Sequence, residues 1–214
     1  NPKTAKEIYE KCNEKLQKPE FRPRALIQRA NVAFIGTTDD PLSTLEFHRR
    51  LRDDESFQTI VAPTFRPDQA LFIERPSFTD WLKKLSEASG IAVDSFAAFL
   101  AALKQRIDEF HEHGGRASDH DIPKMEYVAV TKSEAAAIFQ KRVNGGALSA
   151  SELVAYRSFL LTELGKMYAE KQWVMQLHIG AMRNNNTKMH RLLGPDSGFD
   201  SIGETNIAEG LSRF

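Results

Sequence analysis

Short apolar runs alternate with longer stretches of helical period along the chain, the pattern of repeated βα units in an α/β fold. Val32-Ala33-Phe34-Ile35-Gly36 reads as a first strand running straight into the polar Thr37-Thr38-Asp39-Asp40-Pro41. The next helix carries a start signal: Ser43 can cap, Glu46 can reach back, and Leu42 can pack on Phe47. A second strand around Thr59-Ile60-Val61-Ala62 delivers Thr64-Phe65-Arg66-Pro67-Asp68. Two helices follow. One runs from Ser77 to Ser89, with Phe78, Trp81, Leu82 and Leu85 on one face, and stops before Gly90. The other opens at Asp94, spaces Phe96, Phe99, Leu100, Leu103, Ile107 and Phe110 helically, and ends at Gly114-Gly115.

The position after that glycine pair predicts a short strand over Arg116-Ala117-Ser118-Asp119-His120. Capping-box pairs at Thr131/Glu134 and Ser149/Glu152 open two more helices, separated by Asn144-Gly145-Gly146. A last strand, Trp173-Val174-Met175-Gln176-Leu177-His178, breaks into Gly180-Ala181-Met182-Arg183-Asn184-Asn185-Asn186. The tail from Gly194 is glycine-rich and polar and reads as a loop. Four strands thus end in polar clusters, and in parallel α/β folds sites form at the carboxyl ends of strands. Four strands are half of an eight-stranded barrel. The open edges of such a half lead us to expect further sequence around these residues, as does the start at Asn1-Pro2-Lys3 without an initiating methionine or a hydrophobic signal core.

Composition removes several function classes. The 29 basic and 29 acidic side chains cancel, which argues against a dedicated nucleic-acid or anionic-membrane surface. No apolar run approaches the roughly 20 residues that span a bilayer. One cysteine, Cys12, cannot form an internal disulfide and is compatible with a cytoplasmic setting. Walker-type phosphate loops, G-x-S-x-G elbows, HExxH and paired C-x-x-C motifs are absent.

His178 ends an apolar strand before a short glycine-containing segment, so its ring can face a pocket as metal ligand or proton shuttle; the alternative is a histidine satisfied by neighbouring backbone. Asp119-His120-Asp121 sets ionisable groups at another strand end, where a carboxylate can act as a base or orient a histidine. A solvated turn before Pro123 explains the same residues. Arg66, held extended by Pro67, and Arg183 can each present a planar fork to a carboxylate, or lie on the surface. Thr37-Thr38-Asp39-Asp40-Pro41 forms either a substrate-facing loop or the turn before a capped helix. His111-Glu112-His113 has H-x-H spacing, but it falls in the last turn of a helix, where residues two apart do not share a face, and we set it aside as a metal pair. His48 and His190 fall in helix-like segments.

Ile35-Gly36-Thr37-Thr38-Asp39-Asp40-Pro41, Phe65-Arg66-Pro67-Asp68, Ser118-Asp119-His120 and Gln176-Leu177-His178-Ile179-Gly180-Ala181-Met182-Arg183-Asn184-Asn185-Asn186 occur in the order of successive uronate isomerase motifs. The chain resembles an internal part of that family, within the amidohydrolase superfamily, over essentially its whole length. The resemblance implies an α/β fold, part of a distorted (β/α)8 TIM-type barrel with extra helical insertions. Residues 1–214 would be a partial barrel and 77–114 a helical insertion within it. It also implies aldose–ketose interconversion of D-glucuronate with D-fructuronate, and of D-galacturonate with D-tagaturonate, through an enediol. Asp119, His178 and His120 would be catalytic; Arg66, Arg183, Asp39, Asp40 and Thr38 would contact substrate. Zinc or another divalent metal is expected in the full-length enzyme, with His178 the one candidate ligand here and the principal ligands outside the chain. A small hexuronate, with neither nucleic acid nor membrane, is the expected partner, together with homo-oligomeric assembly. A metal-dependent hydrolase of the same superfamily and a non-catalytic excised piece are the alternatives.

Overall fold

The computed structural model describes residues 2–203 and 206–214; Asn1, and Glu204 and Thr205 of the glycine-rich tail, lie outside the described residues. Helices α1 (Ala5–Leu16) and α2 (Pro23–Arg29) lead into strand β1 (Phe34–Gly36), α3 (Glu46–Arg52), β2 (Ile60–Ala62) and a short α4 (Asp68–Leu71). Then come α5 (Phe78–Ser89), α6 (Phe96–Glu112), β3 (Ala117–Ile122), α7 (Lys132–Val143), α8 (Ala150–Glu170) and β4 (Val174–Ile179). The chain closes with β5 (Ala181–Met182), α9 (Thr187–Leu193), β6 (Ser201–Ile202) and α10 (Ala208–Arg213).

The expected barrel is not what these residues form. The described strands make three two-stranded sheets: β1 parallel to β2, β3 parallel to β4, and β5 antiparallel to β6, with no closed or curled sheet. Between the two parallel pairs the ladder shrinks to single bridges, Asp39 with Phe65 and Phe65 with Ser118. Pro63 and Pro67 flank Phe65 and have no N–H to give, so regular pairing cannot extend there.

Local chemistry explains the helix ends. Thr131 and Ser149 each accept from the backbone N–H three residues on, while Glu134 and Glu152 reach back, so both expected capping boxes exist. Gly90 takes the left-handed conformation (φ 69°) that stops α5. The cap of α6 is Ser95, whose Oγ accepts from Ala98 N at 3.2 Å, rather than Asp94. The start of α3 also departs from expectation. Leu45, at φ 55° and buried, occupies the cap position; Ser43 Oγ accepts from Leu45 N, and Phe47 is exposed, so neither box nor staple forms. The tail is more regular than a loop, since β6 and α10 lie within it.

The core lies between α5, α6, α7 and α8 and the inner faces of the strands. Phe96, Phe99 and Phe139 meet with centroids 5.0–6.0 Å apart, and Phe78 meets Phe139 edge-on at 6.1 Å. Gly115 has no room for a side chain: a Cβ would lie 2.8 Å from Phe110 O, so glycine is what lets α6 turn directly into β3.

Candidate active site

Phe65 is the keystone of the site. Its ring is fully buried, edge-on to Phe110 at 5.1 Å and to Tyr168 at 6.1 Å. Its backbone ties neighbouring segments together: Phe65 N donates to Ala117 O (3.2 Å), Asp119 N to Phe65 O (2.9 Å), and Arg66 N to Asp39 O (2.9 Å). With Phe65 pointing inward, the next side chain, Arg66, points outward.

Strand parity sorts the residues of β3 and β4 in the same way. The register pairs Asp119 with Gln176 and Asp121 with His178. All four share one face, while Ser118 and His120 turn toward α8. On the outer face Arg66 donates from Nε to Asp68 Oδ2 (2.8 Å) and from Nη1 to Asp119 Oδ2 (3.0 Å). Asp119 is buried. Its Oδ1 has no hydrogen-bond partner among the described residues and makes an ion-pair contact, 2.8 Å from His178 Nδ1. The Gln176 amide approaches His178 Nε2 at 3.1 Å. The Gln176 amide nitrogen can only donate, so Nε2 accepts from it and the neutral ring carries its hydrogen on Nδ1, on the side of Asp119.

Asp68 links this run to a second one. Its Oδ1 accepts from Asp121 N at 3.1 Å; Asp121 Oδ1 accepts from Arg183 Nη2 at 3.3 Å, and Arg183 Nη1 donates to Asp200 Oδ2 at 2.6 Å. The Asp200 bond first, and then the charge of Asp121, raises the Arg183 pKa. Arg66 and Arg183 therefore serve four carboxylates between them. Arg66 has a side chain only 27% exposed and is enclosed, whereas Arg183 at 41% is the more accessible fork.

The other candidates separate. Asp39 is drawn to Thr37, with Thr37 Oγ1 2.5 Å from its Oδ2. Asp40 turns to the helical layer: its Oδ1 accepts from Leu42 N (2.9 Å) and Trp81 Nε1 (3.0 Å). Burial raises its pKa, opposed by those two bonds and reinforced by the charge of Asp68. Thr38 is exposed. His120 is completely buried, its Nδ1 3.0 Å from Gln176 O and its Nε2 3.2 Å from Tyr168 Oη, so the structure places it on the core side, away from Asp119 and His178. The sequence gives no role to Asp68, Gln176 or Asp200, and sets His48 aside on a helix. The extended Arg66-Pro67-Asp68 triplet, with its side chains two apart, carried a signal for Asp68; Asp200 had none.

Burial lowers the pKa of both His48 and His120, so the fold holds each imidazole neutral. Both have folded values below the ordinary 6.5. Above that value neither form is charged, and the stability they contribute is fully present. As pH falls below it the unfolded chain takes up protons first, and stability drains away until the folded values are passed, by up to about 1.4 kcal/mol per pH unit for each histidine involved. Urea unfolding at pH 7.5 and 5.5 should show this loss, and His120→Gln should shrink it.

Among the described residues no group of three or more His, Cys, Asp or Glu side chains is arranged to hold a metal ion. Both ring nitrogens of His178 are already engaged, Nδ1 lying 2.8 Å from Asp119 Oδ1 and Nε2 3.1 Å from the Gln176 amide nitrogen. Taken by themselves, these residues do not fit a metal centre. His111 and His113 close helix α6, as expected: His111 Nδ1 accepts from Trp173 Nε1 (3.0 Å), and His113 Nδ1 lies 2.8 Å from Glu109 O.

Comparison with known proteins places this geometry. The glucuronate isomerase family profile matches residues 1–214. A uronate isomerase of Halalkalibacterium halodurans is 51% identical over 207 residues, which is 97% of this chain and 44% of that protein. One from Caldanaerobacter subterraneus subsp. tengcongensis is 47% identical over 214 residues, 100% of this chain and 46% of its own length. The crystal structure of uronate isomerase from Thermotoga maritima superposes with a TM-score of 0.90 at 37% identity, covering 99% of this chain and 47% of its own. That of glucuronate isomerase from Caulobacter crescentus gives 0.85 at 30% identity, covering 95% and 42%. The chain therefore spans less than half the length of these relatives, and over that span it belongs to the glucuronate isomerase family.

Proposed function

We propose that these residues form part of the site of a hexuronate isomerase, which in the complete natural chain interconverts D-glucuronate with D-fructuronate and D-galacturonate with D-tagaturonate. The observation that carries this reading is the run Arg66–Asp119–His178, with contacts of 3.0 and 2.8 Å on one strand face. An aldose becomes a ketose when the hydrogen on C2 moves to C1 and the hydroxyl hydrogen on O2 moves to O1. No oxidant is needed, only a base that takes a proton and returns it to the neighbouring carbon. In this proposal His178 Nε2 is that base, exchanging the Gln176 amide for the substrate proton. Asp119 holds the ring tautomer and offsets the positive charge that the ring acquires, while Arg66 stands beside the pair to balance negative charge on the enediolate.

Arg183 is the clamp for the substrate carboxylate. It is the more exposed arginine, and a substrate carboxylate can take the place of Asp200 on its fork. A divalent metal in this proposal takes its principal ligands from outside the chain, and no step is assigned to it. No helix among the described residues is long and apolar enough to cross a membrane. The exposed thiol of Cys12 fits a reducing cytoplasm.

The test is a coupled assay with D-glucuronate on the complete natural chain. Arg183→Met is expected to raise KM by roughly 10–100-fold, the worth of a charge-assisted bond, with a smaller change in kcat. An unchanged KM would remove Arg183 from the binding role.

A further inference from the structure

Beside the proton-transfer pair, residues from the loop after β1 and from α3 form a second polar cluster. Thr37 Oγ1 lies 2.5 Å from Asp39 Oδ2, 2.7 Å from His48 Nε2 and 3.3 Å from Ala62 O. A hydroxyl has a single hydrogen to donate. The carboxylate oxygen can only accept, and a 2.5 Å separation is that of a charge-assisted O–H···O⁻ bond, so the Thr37 hydrogen goes to Asp39. The close approach of His48 Nε2 to the same oxygen then requires that Nε2 bring its own hydrogen. This fixes the tautomer: Nε2–H donates to Thr37 Oγ1, and Nδ1 is bare.

Burial supports that assignment. His48 is 8% exposed, and its Nδ1 is buried without a partner among the described residues. A bare lone pair tolerates that position better than an N–H or a charged ring would. His48 does not reach Asp39 directly, since Nε2 and Oδ2 are 3.6 Å apart. Thr37 is the bridge. The Asp39 backbone is fixed as well, its N–H donating to Thr64 O at 3.0 Å and its carbonyl accepting from Arg66 N. Its Oδ1 enters no hydrogen bond among the described residues. The carboxylate is thus held by one oxygen and presents the other.

We propose that His48 is a positioning residue: through Thr37 it orients Asp39 so that Oδ1 accepts a hydrogen bond from a hydroxyl of the sugar acid. This rests on the hexuronate reading above; the relay itself can be tested without it. Long-range proton–nitrogen NMR of the imidazoles in the complete natural chain at pH 7.5 should show His48 as the Nε2–H tautomer. Thr37→Val should shift its nitrogen resonances. A His48 protonated on Nδ1, or resonances indifferent to Thr37→Val, would overturn the relay whether or not the protein turns over a sugar.

Kinetics then test the positioning. His48→Leu and Thr37→Val should raise KM for hexuronate about tenfold, with kcat changed less, as expected for the loss of one bond to a charged group. His48→Gln, whose amide can still donate to Thr37, and Thr37→Ser should restore KM to within about threefold of the parent chain. Circular dichroism identifies the folded variants, and Thr37→Val serves if His48→Leu fails to fold. A folded Thr37→Val with unchanged KM would overturn the positioning role. Absence of all hexuronate turnover in the parent chain would instead sink the functional reading, leaving the tautomer result to judge the relay.

Discussion

Asp119→Asn and His178→Asn, introduced separately into the complete natural chain, are each expected to lower kcat by about 10²- to 10⁴-fold, the usual worth of a positioned acid–base group. Stability should respond unequally and little. The His178 side chain is 47% exposed, so its replacement should change unfolding by no more than about 0.5 kcal/mol. Asp119 is buried against Arg66, but that guanidinium keeps Asp68 as a partner, which limits the loss to about 1–2 kcal/mol. Because the two side chains act as one unit, the double variant should be hardly slower than the worse single variant. Steady-state kinetics beside thermal melts decide the matter. Parallel loss of folding and activity would mean that the pair is architecture and that proton transfer happens elsewhere.

Arg106→Met is expected to destabilise the protein by about 3–5 kcal/mol, the range for breaking a buried charge pair. Arg106 is 3% exposed on α6. Its Nε donates to Pro41 O (2.7 Å), its Nη2 to Ser43 O (2.7 Å) and its Nη1 to Ala88 O (3.3 Å), and it also pairs with Glu109. Burial lowers its pKa, and the Glu109 carboxylate counters that effect. Methionine keeps much of the stem but strands three carbonyls and one carboxylate. Two of those carbonyls belong to the loop that carries Asp39 and Asp40, whose other anchor in this layer is Trp81 on α5. Residues 77–114 thus brace the loop that carries Asp39 and Asp40. Urea unfolding measures the effect. A change below about 1 kcal/mol would show that the freed carbonyls find water and that the clamp is incidental.

Much of this was legible in the residues, and the reasons are physical. The runs Val32-Ala33-Phe34-Ile35-Gly36 and Trp173-Val174-Met175-Gln176-Leu177-His178 locate β1 and β4 because their β-branched and aromatic residues favour extended backbone. Thr131/Glu134 and Ser149/Glu152 mark helix starts because each box closes with its own side chains. Ser43/Glu46 looks the same on paper but fails, because the left-handed Leu45 is buried and sets the entry to α3 instead. The barrel expectation failed at Pro63 and Pro67, which reduce the link between the parallel pairs to the bridges of Phe65.

The site shows the same division. Arg66 and His178 could be picked out because each follows an apolar run, and Asp119 because it follows the glycine pair that ends α6. His120 was placed with them although strand alternation sends neighbouring side chains to opposite faces; once Asp119 faces the site, His120 must face Tyr168. His48 was passed over because it lies on a helix, and only the folded chain brings it to Thr37. Asp200, 17 residues beyond Arg183, meets it because the β5–β6 hairpin folds back.

The reading stands or falls most directly on proton NMR of D-glucuronate incubated with the complete natural chain, beside the same chain carrying both Asp119→Asn and His178→Asn. Appearance of D-fructuronate up to its equilibrium proportion with the parent chain, and its near absence with the folded double variant, is the predicted result. No conversion of D-glucuronate or D-galacturonate by the parent, or equal conversion by both chains, would contradict it.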